Sequence, residues 1–312
     1  MTNSTAPRVI LGLMLYGPDS FKDSRVTSVP ELERHLDRFQ NTYGYNEIDT
    51  ARIYVQGKQE HFTAEAGWKS RGLQVATKSW PWTPGYHTPE NVRNDLETSL
   101  SELGTDQVDI FYLHAADRAT PITETLETVN TLYQEGKFKR FGISNYSGYE
   151  VAEIVMLCHS RGWIKPTIYQ GLYNAVYQSS AADEKGRYAL DTFLGPIFRD
   201  IYFKESTFQA LEVIQAAAEK HHLTVAEVAF RWLVHHSALR TAPRGGNDGV
   251  IIGISKIEQL DQNILDMRKG PLPEDVVEAL EKAWLIAKGT ASDPWPTPLV
   301  YTYDAKEVLF KD

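Results

Sequence analysis

The sequence predicts a (β/α)8 barrel of the TIM type, and two observations support that prediction. β-type runs alternate with amphipathic helix patterns along most of the 312 residues, which is typical of a parallel sheet with right-handed crossovers. Several of these runs end in polar residues, as at residues 75–78, 112–114 and 142–145. Because barrel strands place their carboxyl ends at one face, these polar residues are expected to meet there.

Six strand patterns come before residue 174, at residues 9–15, 46–50, 73–78, 108–113, 138–144 and 166–172. Helix patterns separate them, at residues 30–43, 59–70, 89–103, 122–135 and 149–160. Ser28 is a candidate cap for the first helix, and Thr88 followed by Pro89 is a typical start for the third. Further helices are expected at residues 206–220, 224–235, 257–267 and 273–287, and a strand at residues 250–254.

The strand count is one short of a closed barrel. Residues 173–208 show no clear strand–helix pair, and residues 188–203 carry aromatic side chains without a regular period. The sequence therefore predicts a barrel of seven recognisable parallel strands that lacks one helix and one strand. We expect one domain over residues 1–312, with residues 289–312 as a C-terminal tail, because no linker marks a second domain.

Composition excludes several classes of partner. The formal net charge of −9 makes whole-surface attraction to nucleic acid or to an anionic membrane unlikely. Cys158 is the single cysteine, so an intrachain disulfide is excluded and a reducing compartment fits. Residues 1–7 are polar and no apolar run approaches the roughly 18 residues of a membrane span. These observations predict a cytoplasmic protein.

Four residues at or just beyond the strand ends suggest acid–base chemistry: Asp49, Tyr54, Lys78 and His114. A tyrosine hydroxyl has an ordinary pKa of about 10, and a neighbouring lysine ammonium would lower the pKa of Tyr54. Asp49 would hold Lys78 charged and oriented, and His114 would add a second donor. Together they would form a general acid for a carbonyl that receives a hydride. Each residue alone also has an ordinary structural interpretation, as a loop acid, a packed aromatic, a solvated charge or a core histidine.

The chain resembles the aldo-keto reductases, specifically their aflatoxin-aldehyde reductase branch, over nearly its whole length. The motifs are Asp49-Thr-Ala-Arg-Ile-Tyr54, Ala76-Thr-Lys78, Asp109-Ile-Phe-Tyr-Leu-His114, Phe141-Gly-Ile-Ser144-Asn145-Tyr146, Tyr169-Gln170-Gly-Leu-Tyr-Asn174 and Gly253-Ile-Ser255. The resemblance implies an NADPH-dependent oxidoreductase that reduces an aldehyde or ketone to an alcohol by hydride transfer. It also implies that Asp49, Tyr54, Lys78 and His114 are the catalytic residues, with Tyr54 as the acid.

The resemblance further assigns residues to the cofactor and the substrate. Ser144, Asn145 and Gln170 would bind the nicotinamide carboxamide, and Arg187 would also touch the cofactor. The adenosine-phosphate segment would be held by Ser255, Lys256, Gln259, Gln262 and Asn263. Ser255 is expected to cap a helix that begins near Ile257, and with Lys256 this helix start would be an anion site. Met14, Tyr16 and Trp82, with His114, could line the substrate mouth or could equally be packing residues.

The family pattern breaks after Asn174. The family normally supplies there a helix and a strand whose aromatic ring stacks on the nicotinamide, and this chain passes almost directly to Tyr177. The deletion is either an artefact of the gene model or a real feature of a distorted barrel. Tyr173 or Tyr177 could replace the lost ring, although nothing in the sequence requires it.

Two other functions stay open at this point. A barrel that no longer binds cofactor tightly could be a non-redox lyase or cyclase, or it could be a non-catalytic binding subunit. Dinucleotide-binding and P-loop glycine motifs are absent, and His221-His222 and His235-His236 lack a metal-binding frame, so no metal is predicted. The expected partner is a small carbonyl compound, and a homodimer is implied only by the resemblance.

Overall fold

The computed structural model describes residues 6–174, 195–291, 300–305 and 308. In this part of the chain seven parallel strands form one curled half-barrel: β1 (Arg8–Gly12), β2 (Glu47–Asp49), β3 (Gln74–Ser79), β4 (Val108–Leu113), β5 (Phe138–Ser144), β6 (Ile168–Gln170) and β7 (Gly249–Gly253). Their order across the sheet is β6-β5-β4-β3-β2-β1-β7. The predicted α/β fold, with a TIM-type sheet one strand short, is confirmed.

Ten α-helices surround the described sheet: α1 (Val29–Asp37), α2 (Gln59–Glu65), α3 (Pro89–Leu103), α4 (Ile122–Gln134), α5 (Gly148–Arg161), α6 (Gly195–Tyr202), α7 (Glu205–Lys220), α8 (Val225–His235), α9 (Ile257–Met267) and α10 (Glu274–Ala287). Each of the first five connects two successive strands, whereas α6, α7 and α8 all lie between β6 and β7. No helix of the described residues combines the length and the apolar composition that crossing a membrane requires.

Local sequence signals explain several boundaries. The Thr88 hydroxyl accepts a hydrogen bond from the Asn91 backbone N–H, and α3 ends at Gly104 in the left-handed conformation, with φ of 66°, which glycine adopts without steric cost. Ser147 and Glu150 form a reciprocal capping box at the start of α5. Ser28 occupies the N-cap of α1, but its side chain makes no capping bond. The Ser28 prediction is therefore right about position and wrong about the bond.

The core has two main parts. The larger lies between the sheet and the helices that cover it, and includes Leu11, Phe39 and Phe141, which are fully buried. A second cluster, formed by α7, α8 and α10, includes Ile214 and Leu280. Apolar strand residues facing a helix layer are what a parallel sheet requires.

The barrel interior is open on one side in the described residues. The outer strands of the sheet are β6 and β7, and no described strand joins them. Tyr169 on β6 is 52% exposed and Ile251 on β7 is 36% exposed. Between these edges lies a cavity of about 850 Å³ whose lining includes Asp49 and Gln170. In the part of the chain that the structure describes, the expected loss of one strand corresponds to an opening between β6 and β7.

Several elements differ from expectation: β6 is limited to Ile168–Gln170, and α1 ends at Asp37 rather than at residue 43. β1 ends at Gly12 rather than at residue 15, because the chain turns where the Tyr16 N–H bonds to the Leu13 carbonyl, at 3.1 Å. α2 ends at Glu65 rather than at residue 70. Helix α6 lies where the sequence showed no regular period, because its eight residues are too few for a helical repeat to be recognised.

Part of the tail packs on the barrel. The Tyr301 hydroxyl donates to Glu153 Oε2 at 3.2 Å, and the Thr302 N–H bonds to the Arg118 carbonyl at 3.2 Å. Residues 300–305 are therefore attached near the start of α5.

Candidate active site

The four residues singled out as a possible acid–base group lie together at the carboxyl ends of the strands. Asp49 is the last residue of β2 and lies beside Ala76 of β3 in the sheet register. Lys78 is two residues further along β3, so its side chain points to the same face. Tyr54 begins a short 3₁₀ helix after β2 (Tyr54–Gly57), and His114 follows β4 directly.

The Lys78 ammonium is the centre of this group. Lys78 Nζ donates to Asp49 Oδ2 at 2.6 Å, to the Thr50 carbonyl at 2.7 Å and to the Tyr54 hydroxyl at 3.2 Å. The Tyr54 hydroxyl is in turn 3.5 Å from Asp49 Oδ2. An ammonium has three protons, and each of them has an acceptor here. The Thr50 carbonyl is a positioning group that no sequence pattern indicated.

Burial and charge oppose each other at Lys78. The side chain is fully buried, and this burial lowers the pKa of Lys78, while the carboxylate of Asp49 raises it. A lysine in this position stays charged only because an anion lies in direct contact with it. Asp49 therefore controls the charge of Lys78 as well as its orientation.

His114 is a neutral group in this setting. Burial first, and then the nearby Lys78 charge, hold the pKa of His114 well below its ordinary value. The imidazole packs edge-on against Tyr54, with ring centroids 5.8 Å apart, and against Trp80, at 5.0 Å. Its Nδ1 is buried and has no partner among the described residues. A neutral imidazole beside the phenol can donate one hydrogen bond to a bound oxygen.

A buried ion pair holds the turn that carries Tyr54. The Arg52 guanidinium bonds to Glu60 and to the Gly57 carbonyl, and the Thr77 hydroxyl donates to Glu60 Oε1 at 2.5 Å. Glu60 is completely buried. Within the turn, Val55 has a φ of 47°, a conformation that non-glycine residues rarely adopt. These contacts hold the strained turn in place. The structural role of Glu60 was not expected from the sequence.

A cleft of about 720 Å³ opens beside the four residues. The predicted site residues that line it are Met14, Tyr54, Trp82, His114, Ser144, Asn145 and Gln170. Tyr16 does not line it. Tyr16 is fully buried, and its hydroxyl lies 3.1 Å from His35 Nδ1. The prediction that Tyr16 lines the substrate mouth is wrong, because the chain turns inward after β1.

Polar groups for a nicotinamide carboxamide are present in the cleft. Gln170 Nε2 is 3.4 Å from Asp49 Oδ1, while Gln170 Oε1 is buried without a partner in the described part of the chain. Asn145 Nδ2 donates to the His114 carbonyl at 2.9 Å and to Ser144 Oγ at 3.0 Å. An unpaired amide oxygen next to a hydroxyl and a second amide fits a ligand that carries its own carboxamide.

The residues assigned to the adenosine phosphate lie on the first two turns of α9 and the segment before it. Gln259 Oε1 accepts from the backbone N–H of Ser255 at 2.8 Å, from the Ser255 hydroxyl at 3.2 Å and from the Lys256 N–H at 3.2 Å. Lys256, not Ser255, is the N-cap of α9, so the capping role expected for Ser255 is wrong. The Ser255 hydroxyl donates to Gln259 instead.

The remaining residues assigned to the cofactor do not line the cleft beside Tyr54 in the described part of the chain. Gln262 Nε2 bonds to Asp266 Oδ1 at 2.9 Å, one helical turn away. Neither Gln262 nor Asn263 lines the cleft beside Tyr54. Arg187 and Tyr177 lie outside the described residues. Within the described residues, no group of three or more His, Cys, Asp or Glu side chains could hold a metal ion.

Tyr173 does not supply an aromatic face to the cleft. Its ring packs against Trp232 of α8, with centroids 5.4 Å apart, and its hydroxyl accepts from the Ala238 N–H at 3.0 Å. Tyr173 lines the interior cavity together with Asp49 and Gln170 instead, so its role as a replacement for the stacking ring stays a prediction. Phe198 and Ile201 of α6 line the cleft. The spacing of three residues between these two apolar side chains is a helical pattern, and it was the available sequence signal for this wall of the cleft.

Comparison with known proteins gives a consistent result. The model of the aldo/keto reductase family matches residues 8–193 and 182–285. An aldo-keto reductase of Pseudocercospora fijiensis is 39% identical over 291 residues, which cover 81% of this chain and 97% of that protein. Aflatoxin B1 aldehyde reductase member 2 of Rattus norvegicus is 36% identical over 335 residues, covering 91% and 89%. The human protein of that name is 36% identical over 329 residues, with the same coverage.

The same comparisons indicate an interruption in the chain. The alignment with the Pseudocercospora fijiensis protein is 291 residues long but uses 81% of the 312 residues here. That relative therefore has residues at positions where this chain has none. The family model matches this chain in two segments, and these overlap at residues 182–193, which in sequence lie between β6 and α6. Both findings agree with the loss of a helix and a strand after Asn174.

Proposed function

The chain belongs to the aldo/keto reductase family, and from this premise we propose that it reduces an aldehyde or ketone to an alcohol with NADPH, Tyr54 being the general acid. One observation carries the proposal: the Tyr54 hydroxyl lies 3.2 Å from Lys78 Nζ. In addition, Tyr54 lines a cleft large enough for a small carbonyl compound. The family supports an oxidoreductase, and the geometry supports these residues as its catalytic group.

Tyr54 donates the proton in this proposal. When the carbonyl carbon is reduced, its oxygen gains negative charge and takes the phenol proton. The Lys78 ammonium then stabilises the phenolate that is left, because an opposite charge within a few ångströms favours the ionised form. NADPH, when bound, supplies the hydride. Asp49 keeps Lys78 charged and in place through the 2.6 Å contact.

His114 orients the substrate. It is neutral at neutral pH, because burial and Lys78 hold its pKa low, so one ring nitrogen can donate to the carbonyl oxygen and the ring adds no positive charge. Trp80 fixes the plane of the imidazole through its edge-on contact at 5.0 Å. Two donors on one oxygen restrict its position and stabilise the charge that develops there.

The cofactor is proposed to lie between the cleft and α9. Ser144, Asn145 and Gln170 would bind the carboxamide, since Gln170 Oε1 is a buried acceptor without a partner in the described residues. Lys256 would bind a phosphate at the start of α9, where Gln259 Oε1 already collects three donors. These donors could turn to an anion if the Gln259 side chain moved.

One observation favours a second candidate. The barrel interior is open between β6 and β7 in the described residues, which removes part of the wall near the expected nicotinamide site. A barrel of this kind could keep its acid–base group, lose tight cofactor binding and act as a lyase, a cyclase or a binding subunit.

A titration of the protein with NADPH, followed by nucleotide fluorescence, separates these candidates. We expect saturable binding in the micromolar range, and consumption of NADPH in equal amount with an added aromatic aldehyde. Saturable binding without aldehyde reduction would contradict the reductase. Absence of binding would favour the second candidate.

A further inference from the structure

Two neighbouring loops form one wall of the cleft at the proposed active site. The β3–α3 loop (residues 80–88) contributes Trp80 and Trp82, and the β4–α4 loop (residues 114–121) contributes His114. The rings of Trp80 and His114 meet edge-on, with centroids 5.0 Å apart. Movement of one loop relative to the other would therefore change the surroundings of the imidazole that orients the substrate.

The side chain of Asp117 joins the same two loops outside the cleft. From the β3–α3 loop, its Oδ1 accepts the backbone N–H of Gly85 and its Oδ2 accepts that of His87, both at 2.9 Å. From its own loop, it accepts the Ala119 N–H at 3.1 Å and the Thr120 hydroxyl at 2.7 Å. A carboxylate has about four lone-pair sites, so these four donors fill it. We call this arrangement the Asp117 junction.

The Asp117 junction depends on the ionised carboxylate. Burial would raise the pKa of Asp117, but the donors of the two loops outweigh burial and hold the pKa below its ordinary value. Hydrogen bonds to an ionised acceptor are roughly twice as strong as those between neutral groups. An asparagine would keep one acceptor oxygen and would turn its NH₂ group towards N–H donors. The loops are therefore joined by a group that asparagine cannot replace.

A second carboxylate shows what is particular to Asp117. Asp95 of α3 accepts the Ser79 hydroxyl at 2.6 Å and the Tyr86 hydroxyl at 3.0 Å. Asp95 thereby fixes the β3–α3 loop to the helix that follows it, whereas Asp117 fixes that loop to the segment that carries His114. The position of Trp80 relative to His114 is therefore set through Asp117.

We propose that Asp117 is a positioning residue for the reduction: by joining the two loops, it holds Trp80 against His114 and so fixes the plane of the imidazole. This inference rests on the proposed reductase function and adds to it a residue outside the described lining of the cleft. Small displacements of an orienting group are costly, since about 1 Å can lower the rate about 100-fold. The bond from His114 strengthens as the carbonyl oxygen gains charge, so a misplaced imidazole should lower kcat more than it raises KM.

The variant Asp117→Asn tests the proposal in the complete protein with NADPH and 4-nitrobenzaldehyde. We expect kcat to fall about tenfold while the Kd for NADPH stays unchanged. The matched control Asp109→Asn, near the amino end of β4, removes a carboxylate that accepts the Val75 N–H at 3.0 Å and pairs with Lys139, and it should leave kcat unchanged. An unchanged kcat in Asp117→Asn, or an equal fall in both variants, would overturn the inference alone. Failure of the unmodified protein to reduce the aldehyde would overturn the proposed function, and the inference with it.

A double variant tests whether Asp117 acts through Trp80. Once Trp80→Leu has removed the indole, the further change Asp117→Asn should have little effect on kcat, because the contact that the Asp117 junction supports is already gone. Two independent structural defects would instead give losses in kcat that multiply. Losses that multiply would overturn the assignment.

A milder variant keeps the test usable if Asp117→Asn does not fold. Thr120→Val removes one of the four donors and keeps the carboxylate, so kcat should fall about threefold, as expected for one hydrogen bond. An unchanged kcat in Thr120→Val would then overturn the role of the Asp117 junction.

Discussion

The Lys78 ammonium has a carboxylate, a backbone carbonyl and a phenol oxygen as its acceptors. Loss of any one of these three acceptors would change the charge or the position of the ammonium. Burial alone would drive Lys78 to its neutral form, and the contact with Asp49 opposes this. The proposed acid–base function of Tyr54 therefore depends on an anion that never touches the substrate.

The variant Asp49→Asn should lower kcat and move the alkaline limb of its pH profile to lower pH. Burial lowers the pKa of Lys78 and Asp49 raises it, so a variant without the Asp49 carboxylate keeps only the lowering effect. Lys78 then loses its proton earlier as the pH rises. The exposed acid Asp106 provides a control, Asp106→Asn, which should leave the profile unchanged. An alkaline limb that stays in place in Asp49→Asn would contradict the coupling.

Lys256 should matter for cofactor affinity and not for chemistry. The variant Lys256→Met should raise the Kd for NADPH about tenfold, since a charge-assisted contact to phosphate is lost, while kcat at saturating NADPH stays the same. Lys282→Met, on the exposed face of α10, serves as the control. Fluorescence titrations give both Kd values, and equal values for the two variants would show that the start of α9 does not bind the cofactor.

At the level of elements, the strained turn after β2 depends on the Arg52–Glu60 pair. Glu60→Gln should lower the free energy of unfolding by about 3 kcal/mol, because it leaves the Arg52 charge without its buried partner. Glu65→Gln, at an exposed position of the same helix, should change it by less than about 0.5 kcal/mol. Urea denaturation measures both values. Similar small losses in the two variants would mean that the pair does not hold the turn.

Elements defined by local patterns were predictable from the sequence. The bounds of β4 and α9 follow from a continuous apolar run and from helical spacing, and the start of α3 follows from Thr88 and Pro89. Features that depend on distant parts of the chain were not. The Tyr16 side chain is buried against His35, which lies 19 residues further along the chain. The Ser255 hydroxyl donates to Gln259 Oε1, a contact across one helical turn, and does not cap α9.

The same distinction applies to the candidate site. The four acid–base residues could be selected because strand ends of a parallel barrel converge. Thr50 acts through its carbonyl, which no side-chain pattern records. Glu60 reads as an ordinary helix residue, and its importance appears only through Arg52 and Thr77. Phe198 and Ile201 enter the cleft through the position of α6, which has no counterpart in the strand–helix alternation.

At the scale of the whole molecule, buried histidines make stability depend on pH. Burial lowers the pKa of His87 to about 4 and holds that of His114 well below its ordinary value. The unfolded chain binds protons on both near pH 6.5, and the folded chain does not. Stability should therefore fall as the pH drops from about 6.5, by up to about 2 kcal/mol per histidine at about pH 5, and should be independent of these groups above about pH 7.

The free energy of unfolding, measured in urea across this range, checks the expectation. His87→Gln should reduce the slope of stability against pH, whatever it does to stability at neutral pH, because one of the titrating groups is gone. His61→Gln, at an exposed position, should leave the slope unchanged. A slope in His87→Gln that equals that of the unmodified protein would contradict a neutral buried His87.

The described strands leave the barrel wall open on one side. β6 and β7 leave an interior cavity of about 850 Å³ between them in the described residues, and relatives have residues at positions that this chain lacks. The proposed acid–base group does not depend on that wall, because Asp49, Tyr54, Lys78 and His114 lie in or directly after β2, β3 and β4, the central strands of the described sheet. Chemistry and cofactor binding can therefore be tested separately.

The variant Tyr54→Phe tests whether the Tyr54 hydroxyl is the proton donor, since it removes one oxygen and leaves the ring. With NADPH and 4-nitrobenzaldehyde, we expect NADPH binding to stay as in the unmodified protein and kcat to fall by about 10²–10⁴-fold, the usual contribution of a general acid. Turnover by Tyr54→Phe at the rate of the unmodified protein would contradict the assignment of the proton to this hydroxyl.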